Sequence, residues 1–411
     1  MLKKKKIKIS KIKLIKQIKK IRSIKIIMLI IMMLMLLMAQ NGFSCVLATD
    51  ESNLIQQINS KKYVVFDRES GLVLLGKNEN KQTPMASTTK IMTAIVVVES
   101  NLNLEKEAIV SQKAANIGGS TLGLKKDDKI TINDLLYGLL MKSGNDCAIQ
   151  LALECSGSVE EFANQMNEKA KKLELKNTNF VTPHGLDNPN HYTTAFELAK
   201  ITDYALKNSI ISTIVKTKYA TIRINNNNKE IKNTNELLLG NVEGVYGVKT
   251  GFTNMAGRCL VTAVKRNDID LIIVVIGADT KKYRGSDTLK LLNYIEKNYK
   301  KVDVENIVNE SFQKWKEINE NRIQIYKGNS KLKTKIKEIK YKKLLTKSEI
   351  NVEFNNIILL NAPVEKNEKI GEILVKNGEE LLEKIDIISK DKIERRSIKD
   401  YFIIFAKEFT H

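Results

Sequence analysis

The strongest constraint on the fold is where the β-type runs fall along the chain. Tyr63-Val64-Val65-Phe66-Asp67 and Leu72-Val73-Leu74-Leu75 flank a Glu69-Ser70-Gly71 turn, the pattern of a β-hairpin. The next such runs come only at Val245 to Lys249, Cys259 to Val264 and Leu271 to Ile276, separated by glycine and by an Asn267-Asp268 turn. Between them, from Thr88 to about Leu206, apolar residues recur at helical spacing in Ile132 to Met141, Ala148 to Leu153, Phe162 to Leu173 and Ala195 to Leu206. A hairpin first, helices in the middle and strands last predict one sheet whose early and late strands pair around a helical insertion.

At 411 residues the chain exceeds the usual single domain. A helix near Thr288 to Asn298 closes the first domain, 49–300. The composition then turns rich in Lys, Glu and Asn, with short β-type runs at Arg322 to Tyr326, Ile357 to Leu360, Ile373 to Val375 and Ile385 to Ile388. These predict a small all-β domain over 305–393, and no internal repeat is visible. In the last stretch, 394–411, Ile398, Tyr401, Phe402, Phe405 and Phe409 fall on one helical face, with Arg395, Arg396, Lys399 and Lys407 among the other positions. A basic amphipathic helix of this kind suits a membrane surface.

The net charge of +21 suggests a nucleic-acid partner until its distribution is read. Twelve of the cations lie in residues 1–25, which hold no acid, leaving +9 on the rest with no basic stripe interleaved with aromatics. Nucleic acid is therefore not expected. Ile26 to Ala39 follows as an unbroken apolar run, shorter than the roughly 20 residues of a spanning helix. With Val46-Leu47-Ala48 after it, the segment 1–48 reads as a secretory signal peptide, an uncleaved anchor being the alternative. Gly42-Phe43-Ser44 before Cys45 makes a poor lipoprotein-type site. Cys147, Cys155 and Cys259 remain, an odd number without C-x-x-C spacing, so neither a disulfide framework nor a metal site is indicated.

Met85-Ala86-Ser87-Thr88-Thr89-Lys90 contains S-x-x-K, which places Ser87 and Lys90 one helical turn apart. Lys90 can take the hydroxyl proton as Ser87 attacks, provided burial lowers its pKa. The same spacing recurs at Ser10/Lys13, Ser311/Lys314, Ser330/Lys333 and Ser389/Lys392, but only Ser87 has Pro84 and a polar loop before it and an apolar helix, Ile91 to Val98, after it. Ser143-Gly144-Asn145 lies at a helix junction, where it also reads as an ordinary turn and cap. Lys249-Thr250-Gly251 ends a strand. There a lysine and a hydroxyl would hold a substrate carboxylate, and Gly251 would admit substrate close to the strand.

Together and in this order, the three motifs resemble the penicillin-binding proteins and serine β-lactamases. The closer resemblance is to the low-molecular-weight D-alanyl-D-alanine carboxypeptidases. It rests on Met85 to Thr93, Ser143-Gly144-Asn145-Asp146, His184-Gly185-Leu186-Asp187 and Lys249-Thr250-Gly251-Phe252-Thr253. More loosely, Asn361-Ala362-Pro363-Val364 with Gly371 resembles the family's small β domain, and the amphipathic end its membrane anchor. The resemblance implies an α/β (α+β) transpeptidase-like fold, with an antiparallel sheet and a helical subdomain. It also implies an exported enzyme, without cofactor, that removes the terminal D-alanine from peptidoglycan stem peptides and is acylated by β-lactam antibiotics.

Position by position, the resemblance makes Ser87 the acylated nucleophile, Lys90 its base and Ser143 a proton relay with Lys249. Asn145 would hold the substrate amide, and the N–H groups of Ser87 and Phe252 would form the oxyanion hole. Arg284 matches an arginine near the substrate carboxylate; a surface Arg in a Lys-rich loop is its other reading. His184 invites a Ser-His-Asp arrangement, but Pro183-His184-Gly185 reads as a supporting turn, no G-x-S-x-G elbow exists and Lys90 already supplies a base. His191 reads as structural and His411 as a free terminus. The alternatives are a serine β-lactamase and a non-catalytic wall-binding protein of the same fold. Against the first, Glu160, Glu161, Glu168 and Glu174 lack an E-x-x-L-N context, and Ser-Gly-Asn stands in place of Ser-Asp-Asn.

Overall fold

The computed structural model describes residues 51–337, 342–346, 350–356 and 359–408. The expected signal segment 1–48, Cys45, Phe409 and His411 lie outside the described residues. The chain divides into two units, Met1–Ile58 and Asn59–His411. Of the first, residues 51–57 are helical.

The second unit is built on a five-stranded antiparallel sheet. Its strands are β1 (Lys62–Asp67), β2 (Val73–Lys77), β7 (Val245–Thr253), β8 (Gly257–Arg266) and β9 (Ile269–Ala278), in the order β2-β1-β9-β8-β7. The early hairpin thus pairs with the late strands, as expected, through Lys62↔Ile276 to Asp67↔Leu271. Strand β9 is buried almost without alternation, which requires cover on both sheet faces. Helices α5 (Ala195–Leu206) and α7 (Lys281–Asn298) both pack on it.

The insertion holds α1 (Lys90–Glu99), α2 (Ile132–Met141), α3 (Asn145–Ser156), α4 (Val159–Lys172) and, after α5, α6 (Ser209–Lys216). Thr131, Ser158 and Thr194 each cap a following helix, accepting from the N–H groups of Asp134, Glu161 and Glu197. Two small antiparallel pairs have no counterpart in the sequence expectation: β3 (Glu107–Ile109) with β4 (Lys129–Thr131), and the hairpin of β5 (Tyr219–Ile224) with β6 (Asn227–Lys232). The second turns on Asn225 and Asn226, whose positive φ values of 51° and 63° suit a tight hairpin and a residue type that tolerates them.

Three expectations need correction. Lys249-Thr250-Gly251 lies inside β7, which continues through Phe252 to Thr253. Helix α7 starts at Lys281, so Arg284 is in a helix and not in a loop. The C-terminal region is not all-β: β10 (Tyr299–Asp303) leads into α8 (Val304–Asn319), whose Val304, Val308, Phe312 and Trp315 form one buried face. The charged residues between those four hid the period.

Around α8 stand β11 (Thr334–Ile336), β12 (Ile350–Asn356), β13 (Lys369–Asn377) and β14 (Glu380–Ser389), in the sheet order β11-β14-β13-β12. Trp315 stacks between Phe312 and Phe354, with ring centroids 5.7 and 5.6 Å away, in a core distinct from that of the insertion.

The last helix, α9 (Ile398–Glu408), starts four residues later than the expected segment 394–411. Arg395 and Arg396 precede it in an extended strap, where Arg395 Nε donates to Ala362 O and Arg396 Nε to Gly328 O, each at 2.7 Å. Ser397 then caps α9 reciprocally with Asp400. Ile398 (79% exposed), Tyr401, Phe402 (70%) and Phe405 face outward instead of packing on the β domain. Among the described residues no helix is long and apolar enough to cross a membrane.

Trp315 is the chain's one tryptophan, so its fluorescence follows the C-terminal core. Phe312→Ala is expected to cost about 3–5 kcal/mol in the unfolding transition read by Trp315 emission. Amide hydrogen exchange in the first core is expected to stay unchanged; a parallel loss of protection in both would show that the two cores are coupled.

Candidate active site

Ser87 sits on a 3₁₀ turn, Ala86–Thr89, that runs straight into α1. In a 3₁₀ turn positions i and i+3 eclipse, which brings Lys90 directly over Ser87, with Nζ 3.0 Å from Oγ. The turn is held by its own hydroxyls: Thr88 Oγ1 donates to Met85 O at 2.6 Å and Thr89 Oγ1 to Ala86 O at 2.8 Å. Ala86 has φ +49°, a left-handed conformation that a non-glycine residue keeps only when its surroundings enforce it.

Lys90 is fully buried, and its Nζ also lies 2.8 Å from Asn145 Oδ1 and 2.8 Å from His184 O. Desolvation pulls its pKa from 10.5 to about 7, with Cys147 and Asp146 acting the other way. A neutral amine has two N–H donors and one lone pair. The Asn145 and His184 oxygens can only accept, so the lone pair is left for the Ser87 hydroxyl proton, which is the arrangement a general base requires.

The junction Ser143-Gly144-Asn145 is shaped by close packing. Ser143 has φ +63° and is buried; a Cβ on Gly144 would come within 2.7 Å of Asp146 Oδ1 and 2.8 Å of Cys147 Sγ. Asn145 Nδ2 donates to Gly118 O at 2.7 Å. Asp146 accepts from the N–H groups of Leu122, Gly123 and Leu124, fastening the 118–124 loop beside Asn145.

Strand β7 closes the other side. A Cβ on Gly251 would lie 3.2 Å from Ser87 N, so glycine lets the strand approach the nucleophile turn. Thr250 Oγ1 is 2.9 Å from Thr234 Oγ1. Lys249 is 1% exposed and donates to Thr250 O; burial first, then Lys90 and Arg284, push its pKa well below the usual value. The Phe252 ring is exposed, with the Arg258 guanidinium 3.6 Å from its centroid.

Arg284 is 4% exposed, so its surface reading falls. It grips Glu236 through Nε (2.7 Å) and Nη2 (2.8 Å), and Nη1 points to Gly251 O and Cys259 O, each at 3.4 Å. These contacts buttress β7 and its neighbour. His184 and His191 are held neutral mainly by burial and then by Lys90, at about 3 and about 4. The geometry therefore brings Ser87, Lys90 and Asn145 together around one amine and sets Gly251 against the turn.

A model of the D-alanyl-D-alanine carboxypeptidase family, peptidase S11, matches residues 48–280, a span that includes all three motifs. The chain belongs to this family. It is 31% identical to the D-alanyl-D-alanine carboxypeptidase DacF of Bacillus subtilis over 85% of this chain and 88% of that one. The Streptomyces K15 DD-transpeptidase structure matches with 35% identity and a TM-score of 0.56, over 58% of this chain and 97% of that one. Penicillin binding protein 5 of Haemophilus influenzae matches with 27% identity and a TM-score of 0.65, over 82% and 98%. The chain is a serine peptidase of this class, with the DD-peptidase fold.

Thr234, Glu236 and the Gly118-Gly119 loop join the site without any motif of their own, whereas Asp146 belongs to the Ser143-Gly144-Asn145-Asp146 motif. Gly185 is a further support, with φ +83° and an ideal Cβ only 2.0 Å from Ala86 O. Gly185→Ala is expected to displace the Ala86–Thr89 turn and slow acylation by fluorescent penicillin by about 10- to 100-fold. An unchanged rate would show that the turn does not depend on that approach.

Proposed function

We propose that this family member removes the terminal D-alanine from peptidoglycan stem peptides through an acyl-enzyme on Ser87. The Lys90 amine poised on the Ser87 hydroxyl carries the reading. Ser87 Oγ attacks the carbonyl carbon of the penultimate D-alanine while its proton passes to Lys90 Nζ. The oxyanion that forms is held by the N–H groups of Ser87 and Phe252. The C–N bond then breaks, and the leaving D-alanine amine takes a proton relayed through Ser143 and Lys249. Water cleaves the ester and restores Ser87.

Thr250, paired with Thr234, and Lys249 receive the terminal carboxylate. In the empty site burial drives Lys249 toward its neutral form, and an incoming carboxylate supplies the counter-charge that favours reprotonation. Asn145 keeps one N–H beyond those committed inside the protein and offers it to the substrate amide. Arg284 holds β7 from behind. Neither a metal nor a cofactor enters this scheme, and β-lactam antibiotics would acylate the same serine.

A β-lactamase needs a carboxylate to activate the deacylating water. Three of the four glutamates considered for that role are engaged elsewhere, Glu160 facing Lys113, Glu161 accepting from Asn164 and Glu168 pairing with Lys171, and the fourth, Glu174, is exposed. A wall-binding protein without chemistry would have no need of a lysine amine stripped of solvent beside a serine. The deciding experiment is mass spectrometry of a wall pentapeptide incubated with the protein. Loss of one D-alanine, abolished in Ser87→Ala, is expected; loss that persists in Ser87→Ala would refute the scheme.

The enzyme is read as exported, its substrate lying outside the cytoplasm, and as resting on the outer membrane face through α9. Burying each large side chain of the exposed face is worth roughly 1.5–3 kcal/mol. Arg395 and Arg396 brace the β domain, so a truncation that removes the helix alone begins at residue 398. Vesicles containing anionic lipid should float the full chain and not a form lacking residues 398–411; equal flotation would remove the anchor.

A further inference from the structure

Three observations converge on the carbonyl of Ala86. His191 Nδ1 accepts from Val181 N at 3.0 Å, so Nδ1 carries no proton and Nε2 does. Nε2 lies 2.8 Å from Thr89 Oγ1, which it therefore meets as a donor. Thr89 Oγ1 in turn donates to Ala86 O at 2.8 Å. The order of donation, His191 to Thr89 to Ala86, has only one consistent direction. All three residues are buried, and the His191 ring is further set by edge contact with Phe180 at 5.7 Å.

The Ala86 carbonyl shares a planar peptide unit with the Ser87 N–H, and the two point in opposite directions. Fixing one end fixes the other. We propose that His191 is a positioning residue for acylation: through Thr89 it anchors the Ala86 carbonyl and so aims the Ser87 N–H at the oxyanion. This rests on the reading of Ser87 as nucleophile and oxyanion donor. Without the chain of hydroxyl and imidazole, the left-handed φ of Ala86 loses one of the contacts that enforce it, and the peptide plane is free to turn. Lys90 does not depend on this chain, because its amine is held by Asn145 and His184. The loss therefore falls on stabilisation of the transition state, not on formation of the base.

The two nitrogens of His191 can be tested separately. Asn in its place keeps an acceptor near the Nδ1 position for Val181 and loses the donor to Thr89. Gln keeps a donor near the Nε2 position. Acylation of the full chain by a fluorescent penicillin is resolved into the noncovalent dissociation constant and the first-order acylation step, alongside the melting temperature. His191→Asn should lower the acylation step by about 10- to 100-fold with little change in the dissociation constant. His191→Gln should recover most of that loss, and Thr89→Val should reproduce it, with the His191→Asn/Thr89→Val pair no worse than either alone.

If His191→Asn acylates like the parent, or if Asn and Gln lose the step equally and in proportion to the melting temperature, His191 is only a packing residue and the proposal is overturned. Thr89→Val at the parental rate overturns it as well. Ser87→Ala is run beside them: labelling that survives there refutes the nucleophile itself, a failure separate from that of His191.

Discussion

The site depends on one interaction, the burial of the Lys90 amine between Ser87 Oγ, Asn145 Oδ1 and His184 O. Desolvation is what brings a lysine to about 7, and only a lysine brought that low can act as a base near neutrality. The unfolded chain binds the proton up to about 10.5 and the folded site releases it above about 7. The buried amine therefore opposes folding at neutral pH, and stability rises with pH between those limits. Two accepted N–H contacts and the Ser87 hydroxyl offset part of that cost. The rest is carried by the surrounding core, in which Ile91, Met92, Leu139, Leu140 and Cys147 are all buried.

The remaining architecture serves to bring three distant segments to that amine. The 3₁₀ turn contributes Ser87 and Lys90 in register, the α2–α3 junction contributes Asn145, and the 183–185 strap contributes a carbonyl and a glycine that fits where no side chain can. Strand β7 meets them because β1, paired to β9, and β7, paired to β8, belong to one sheet. Arg284, paired with the partly exposed Glu236, then secures β7 at Gly251 O and β8 at Cys259 O, so that its value lies in geometry more than in net stability.

Much of this was legible in the chain itself. The spacing of Ser87 and Lys90, the split sheet and the helices at Ile132–Met141 and Ala195–Leu206 follow from period and spacing, which local sterics enforce. What was not legible depends on distant partners. Thr234 is one polar residue among many until β7 places Thr250 beside it, and His191 shows its role only once the Ala86–Thr89 turn lies under its ring. Helix α8 was missed for another reason: its apolar face has four residues in a segment dominated by Lys, Glu and Asn. The strap at Arg395 and Arg396 was read as helix because their charges suit one; their hydrogen bonds to Ala362 O and Gly328 O keep the chain extended instead.

The central claim is that a neutral Lys90 takes the proton from Ser87, and the pH dependence of penicillin acylation tests it most directly. His184 and His191 are held at about 3 and about 4, so neither titrates between pH 5 and 9. At saturating penicillin, where the bound carboxylate already favours protonated Lys249, the first-order acylation step should climb nearly tenfold per pH unit up to about 7 and then level off, and Lys90→Ala should lose most of the rate together with that rise. A flat profile across this range, or the same rising limb in Lys90→Ala, would contradict the assignment of the base.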